Sequence, residues 1–194
     1  GYHPAVAEVI SNLAFNAYDA GELLKAIARC WEALAIQREA LGLEHPECAV
    51  SMSTCGRWLC ENGDARAAEP LLREALDINL RLLAPDHPNV ALVQLGLAQL
   101  LSDRGDHVEA LALAQPAAAS LAGAYGESHW ITAHANSIEG GVLAGLGDYG
   151  RAEPLLRDSF ETLRSDDAAR PVYVEAARQR LANLYGPAER SGKL

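Results

Sequence analysis

Apolar residues recur along this chain at the spacing of amphipathic helices, in blocks separated by short polar breaks. Val6, Ile10, Leu13 and Ala17 form one stripe, and Leu23, Ile27 and Leu34 form the next. The pattern predicts first helices near residues 4–19, 46–61, 88–103, 130–145 and 172–185. Second helices are predicted near 22–41, 64–83, 106–124 and 148–164. Ala and Leu, both strong helix formers, dominate, and β-branched residues are sparse, so the predicted class is all-α.

The stripes repeat with a fixed period, and its markers have mechanical roles. His3, His45, His87 and His129 stand 42 residues apart, followed by Pro4, Pro46, Pro88 and Trp130. A Gly follows each His by 18 residues (Gly21, Gly63, Gly105, Gly147), and an Ala comes five residues later (Ala26, Ala68, Ala110, Ala152). A partial fifth unit keeps the register from Pro171. Proline suits the first turn of a helix, where its missing N–H has no partner to lose. The residue before it is pushed out of helical geometry, so each His-Pro marks a junction. The glycine can turn left-handed and end the first helix, and Asp64, Asp106 and Asp148 are placed to cap the second. The small alanine lets paired helices approach. One pair cannot bury its apolar stripe alone. Stacked pairs can, which predicts a continuous core and a curved rod with a concave side.

The predicted organisation is one array, with repeats at 3–44, 45–86, 87–128 and 129–170, a capping helix at 171–186 and a tail at 187–194. The opening "GYHP" falls inside the pattern, as at the cut end of a longer chain, whereas the tail loses it. Metal binding by the four histidines is not expected. Zinc ligands sit about 2 Å from one ion, while equivalent positions on stacked helices are on the order of 10 Å apart.

Composition narrows the function classes. The chain is 49% hydrophobic and 22% charged, which suits a soluble globular protein. Its formal net charge of -10 argues against nucleic acid or an anionic membrane as partner. No apolar run reaches the roughly 18 residues of a membrane span, and no basic-then-apolar leader is visible. A cytoplasmic location is expected. Cys30, Cys48, Cys55 and Cys60 form no C-x-x-C pair and read as buried thiols in a reducing compartment; paired ligands or a redox couple are the alternatives. There is no Gly-rich phosphate loop, nucleophile motif or metal cluster, so neither enzymatic activity nor a cofactor is expected.

The quoted residues resemble the tetratricopeptide repeat, in the 42-residue variety of kinesin light chains and many bacterial repeat proteins. The matching elements are the His-Pro start, Leu-Ala in the first helix (Leu13-Ala14, Leu97-Ala98, Leu181-Ala182), the Gly turn, and "AEPLLREALDI", echoed by "AEPLLRDSFETL" at 152–163. The resemblance implies an all-α, right-handed superhelical solenoid of antiparallel helix pairs, with about nine helices. It also implies a non-catalytic scaffold for a protein or peptide partner. The alternative is a C-terminal regulatory or sensor region of a larger bacterial enzyme, such as a Ser/Thr protein kinase, or of a transcription regulator.

In such repeats the first helices line the concave groove. By register, the inward residues are Glu8, Ser11, Asn12 and Phe15, then Ser53, Thr54 and Arg57, then Leu95 and Gln99. His134 and Ser137 follow in the fourth unit, and Gln179 and Asn183 on the terminal helix. The Lys/Arg/Asn clamp that grips C-terminal carboxylates in some members is absent. Ser11, Ser53, Leu95 and Ser137 stand where the kinesin light chain type commonly has a backbone-binding Asn, which weakens the peptide-groove reading. A solvated face with no ligand is the competing reading.

Three departures carry further expectations. Pro116 should kink its helix. Glu139 takes a position that is apolar in earlier units and should bond Arg178 or Arg180, unless the helix rotates to expose it; catalysis with His134 is the remote alternative. The last helix is polar on its outer side (Glu175, Gln179, Arg180), as a cap requires. Val6, Val9 and Ile10 leave an apolar surface on the first repeat, open to self-association as a homo-oligomer.

Overall fold

The computed structural model describes residues 4–191, with side chains for 5–186, so His3 lies outside the described residues. Among the described residues there are nine α-helices and no strand. They are α1 (Pro4–Asp19), α2 (Leu23–Leu41), α3 (Pro46–Glu61), α4 (Ala65–Leu82), α5 (Pro88–Arg104), α6 (His107–Tyr125), α7 (Trp130–Gly145), α8 (Tyr149–Ser165) and α9 (Pro171–Ser191). No helix among them is long and apolar enough to cross a membrane. Two compact units divide the chain, Gly1–Gly96 and Leu97–Leu194, with the boundary inside α5.

The junction histidines have a definite chemical role. The Nδ1 atoms of His45, His87 and His129 accept the backbone N–H of Glu47 (3.3 Å), Asn89 (3.1 Å) and Ile131 (3.1 Å). Each ring therefore satisfies an amide in the first helical turn that has no intrahelical partner. At the other end of each first helix, Gly63 and Gly147 take φ values of 82° and 80°. Asp64 N–H then bonds Leu59 O and Asp148 N–H bonds Leu143 O, both at 2.9 Å, in the six-to-one closure of a Schellman motif. Asp64 and Asp148 cap α4 and α8 through the N–H groups of Ala67 and Arg151. Asp106 does not follow the expectation: its carboxylate is taken by Arg104 and makes no cap bond.

The first unit packs α1 on α2 through Ala7, Ile10, Ala33 and Ile36. Ile10 is therefore buried, unlike the exposed Val6 and Val9 beside it. Close approach of α3 and α4 rests on Gly56, where an added Cβ would stand 2.6 Å from Leu72 Cγ. The second unit packs Leu143, Ala152, Leu156 and Leu184 together, and joins Ala133, Leu163 and Ala177 in a second cluster. Gly140 repeats the role of Gly56, with an added Cβ 2.8 Å from Leu156 Cγ. Ala26, Ala68, Ala110 and Ala152 are all buried, as close helix pairing requires.

Several expectations change. Cys30 of α2 and Cys55 of α3 form a disulfide, with Cα atoms 5.8 Å apart, so the chain does not carry four thiols. Their separation of 25 residues hides the pair from any local motif. Cys48 lies outside the bridge, and burial pushes its thiol above the ordinary value. Glu139 bonds neither Arg178 nor Arg180. It pairs with Gln115 instead, because its side of α7 meets α6 and α8, and burial raises its pKa. α9 extends to Ser191, past its expected end.

Candidate partner-binding site

The first-helix face holds a cleft in each unit. In the first unit, α1 and α3 converge through their aromatic residues. Phe15 meets Trp58 edge to face, with ring centroids 5.3 Å apart, and Tyr18 stacks on Trp58 at 4.9 Å. The Tyr18 hydroxyl donates to the Glu61 carboxylate of α3. Between the helices is a cleft of about 370 Å³. Glu8, Ser11, Asn12, Phe15 and Thr54 all line it, so these five predicted residues come together. Gln37 of α2 and Glu47 and Trp58 of α3 complete its chemistry. Glu8, Asn12 and Glu47 are exposed, while Thr54 is buried and donates to Val50 O.

Gln37 is only 5% exposed, and its Oε1 has no hydrogen-bond partner among the described residues. A buried acceptor left unmet costs on the order of 1–3 kcal/mol. Attention to first helices alone missed this residue, although its signal was present. Ala26, Cys30, Ala33 and Gln37 follow helical spacing along α2, and Gln37 is the polar member of that buried stripe.

The second unit holds a cleft of about 290 Å³, lined by Gln99, Asp103, Gly141, Tyr149, Arg180 and Asn183 among others. Arg180 dominates it. Its guanidinium donates to Ser137 Oγ (3.1 Å) and to Gln99 Oε1, and Gln99 in turn donates to Asp103. Burial lowers the Arg180 pKa to about 10, against the opposing pull of Asp103, so the group stays charged at neutral pH. Partial desolvation raises the Asp103 carboxyl, while Gln99 and Arg180 act the other way. Sequence reasoning placed Arg180 on the outer side of the last helix. Yet it stands in the register of Asn12, Thr54 and Ile138, each 42 residues from the next occupied position or a multiple of it, which marks the groove side.

Of the other predicted residues, Ser137 and Asn183 join Gln99 around Arg180 in the second cleft, and the rest are dispersed. Ser53, Leu95 and Ser137 are buried and offer little surface. Arg57 is half-buried; its Nε lacks a hydrogen-bond partner, and its stem lies against Gly96. His134 packs its ring on Tyr173 at 4.2 Å. Gln179 donates to Asn183 at 2.9 Å, and both are exposed. Among the described residues, no three His, Cys, Asp or Glu side chains are grouped to hold a metal ion.

Comparison with known proteins agrees with this architecture. The chain matches the tetratricopeptide repeat family over residues 5–80 and 56–121. The nearly identical TPR-like repeats of a Podosopora anserina protein described as a kinesin light chain superpose with a TM-score of 0.72 at 22% identity. That match covers 98% of this chain and 90% of the other. BtubC (BKLC) from P. vanneervenii gives a TM-score of 0.72 at 20% identity, over 96% of this chain and 74% of that one. These likenesses show the fold, a solenoid of consecutive helix pairs. No curated protein matches the chain.

Proposed function

The chain belongs to the tetratricopeptide repeat family, and on that premise we propose that it is a non-catalytic scaffold that binds a partner protein along its first-helix face. The observation that carries this reading is the first-unit cleft. It is open, it lies on that face, and it gathers Glu8, Ser11, Asn12, Phe15 and Thr54. Its aromatic wall supplies apolar area, and the exposed polar rim supplies orientation, the combination typical of interaction sites.

The test is capture of interacting proteins by the intact chain, read by quantitative mass spectrometry. Asn12→Arg and Gln179→Arg place bulky charge on exposed first-helix positions, and Asp158→Arg does the same on α8. The reading expects loss of specific partners with at least one first-helix variant and retention with the α8 variant. Partners lost only with Asp158→Arg would refute it.

A further inference from the structure

We infer that the first-unit cleft is a receptor for a single basic side chain, lysine or arginine, carried by the partner segment; this rests on the scaffold reading above and specifies its ligand. Two carboxylates, Glu8 and Glu47, lie at the rim, and neither has an ion pair among the described residues. No Lys or Arg is among the described residues that line the cleft. The wall is the half-buried ring of Phe15, backed by Trp58, which is itself only 2% exposed. The floor holds Gln37, nineteen-twentieths buried, with an acceptor oxygen that has no partner.

These features select among occupants. An acidic side chain would meet two like charges and no donor of positive charge. An apolar side chain would fill the aromatic wall but leave the Gln37 oxygen unmet and strip water from the carboxylates, a loss on both counts. A basic side chain suits every element. Its methylene stem packs on the half-buried ring of Phe15, and its charged head gains from the two carboxylates at the rim. It carries N–H donors for Glu8 and Glu47, and for Gln37 once the buried carboxamide turns toward the cleft. The chain's net charge of -10 adds long-range attraction for a basic segment.

The experiment titrates the intact chain with a capped pentapeptide of glycine and serine around one central arginine, followed by NMR of the Trp58 indole and Gln37 side-chain amide. The comparison peptide carries citrulline, which has nearly the same shape without the charge. The inference expects the arginine peptide to shift both signals and to bind roughly tenfold tighter than the citrulline peptide, the scale of a charged hydrogen bond. The double variant Glu8→Gln, Glu47→Gln, both sites being exposed and so safe for folding, should abolish that preference. Equal binding of the two peptides, or shifts on first helices away from Trp58, would overturn the inference while leaving the scaffold reading intact. An undiminished preference in the double variant, or tighter binding of free putrescine than of the peptide, would overturn it as well. If the capture experiment fails while the arginine preference holds, only the broader scaffold reading falls.

Discussion

The two clefts are built on the same repeat register and end in opposite states. In the second unit, Gly141 leaves room for the Arg180 stem: a Cβ at that glycine would stand 3.0 Å from Arg180 Cδ. Arg180 enters the groove and donates to Ser137 and Gln99. The groove is occupied by the chain's own cation. In the first unit, the positions three and four repeats before Arg180 hold Thr54 and Asn12, neither of which brings a cation into the groove. That groove stays open, with carboxylates at its rim and an unmet acceptor at its floor. A repeat fixes where a site can form, and single side chains decide whether it is filled from within.

The units also differ in how they are held, and the largest predicted effect tests that difference. The Cys30–Cys55 bridge belongs to the first unit alone. Closing a loop of its 25-residue separation stabilises by about 3.5 kcal/mol in the chain-entropy account. The double variant Cys30→Ala, Cys55→Ala should therefore lose roughly that amount in denaturant titration, and a reductant should mimic it. An unchanged midpoint in both cases would mean that the cysteines are unpaired in solution.

Next in size is Arg180→Ala, which should empty the second cleft and leave Gln99 and Ser137 without their shared donor. A destabilisation of about 2 kcal/mol is expected, together with a shift of the Gln99 side-chain amide signals, because Arg180 donates to that group. If stability falls but those signals do not move, the account of self-occupancy is wrong.

The junction histidines provide a smaller, shared effect. His45→Ala should cost about 1 kcal/mol, the usual value of a lost N-cap. His129→Ala should cost more, because its ring also stacks between Tyr125 (5.1 Å) and Trp130 (5.8 Å). Equal losses in thermal melts would show that the stacking contributes nothing measurable.

The smallest effect concerns Glu139, and its sign follows from linkage. Burial raises its folded-state pKa above the ordinary glutamate value. The folded chain then holds this proton more tightly than the unfolded chain, so the charged form lowers stability above the folded pKa. That penalty is relieved as pH falls through the raised pKa toward the ordinary value. Glu139→Gln should be slightly more stable than the parent at neutral pH, with the gap narrowing on acidification. A gap that widens on acidification would contradict the assignment.

Much of the fold was legible before any coordinates. The helix boundaries at Pro46, Pro88, Trp130 and Pro171, the left-handed glycines and the buried alanines all follow from local rules, because each acts within a turn or two of its own position. The first-unit site was half legible. Register located Glu8, Ser11, Asn12, Phe15 and Thr54, but Gln37 lies on a second helix and Glu47 at a helix start, outside the face that register selects. The contest for Asp106 between capping α6 and pairing with Arg104 went to the ion pair, a choice between two nearby partners that spacing does not rank.

The sequence by itself determined the period and the helices, since those depend on backbone preferences and on apolar spacing along a single segment. Only the tertiary structure decided which distant side chains meet: Cys30 with Cys55, Arg180 with Gln99 and Ser137, Glu139 with Gln115 rather than an arginine. Those outcomes depend on side-chain reach across packed helices, where a missing Cβ at Gly141 or a long stem at Arg180 settles the pairing, and no rule of sequence spacing contains that distance.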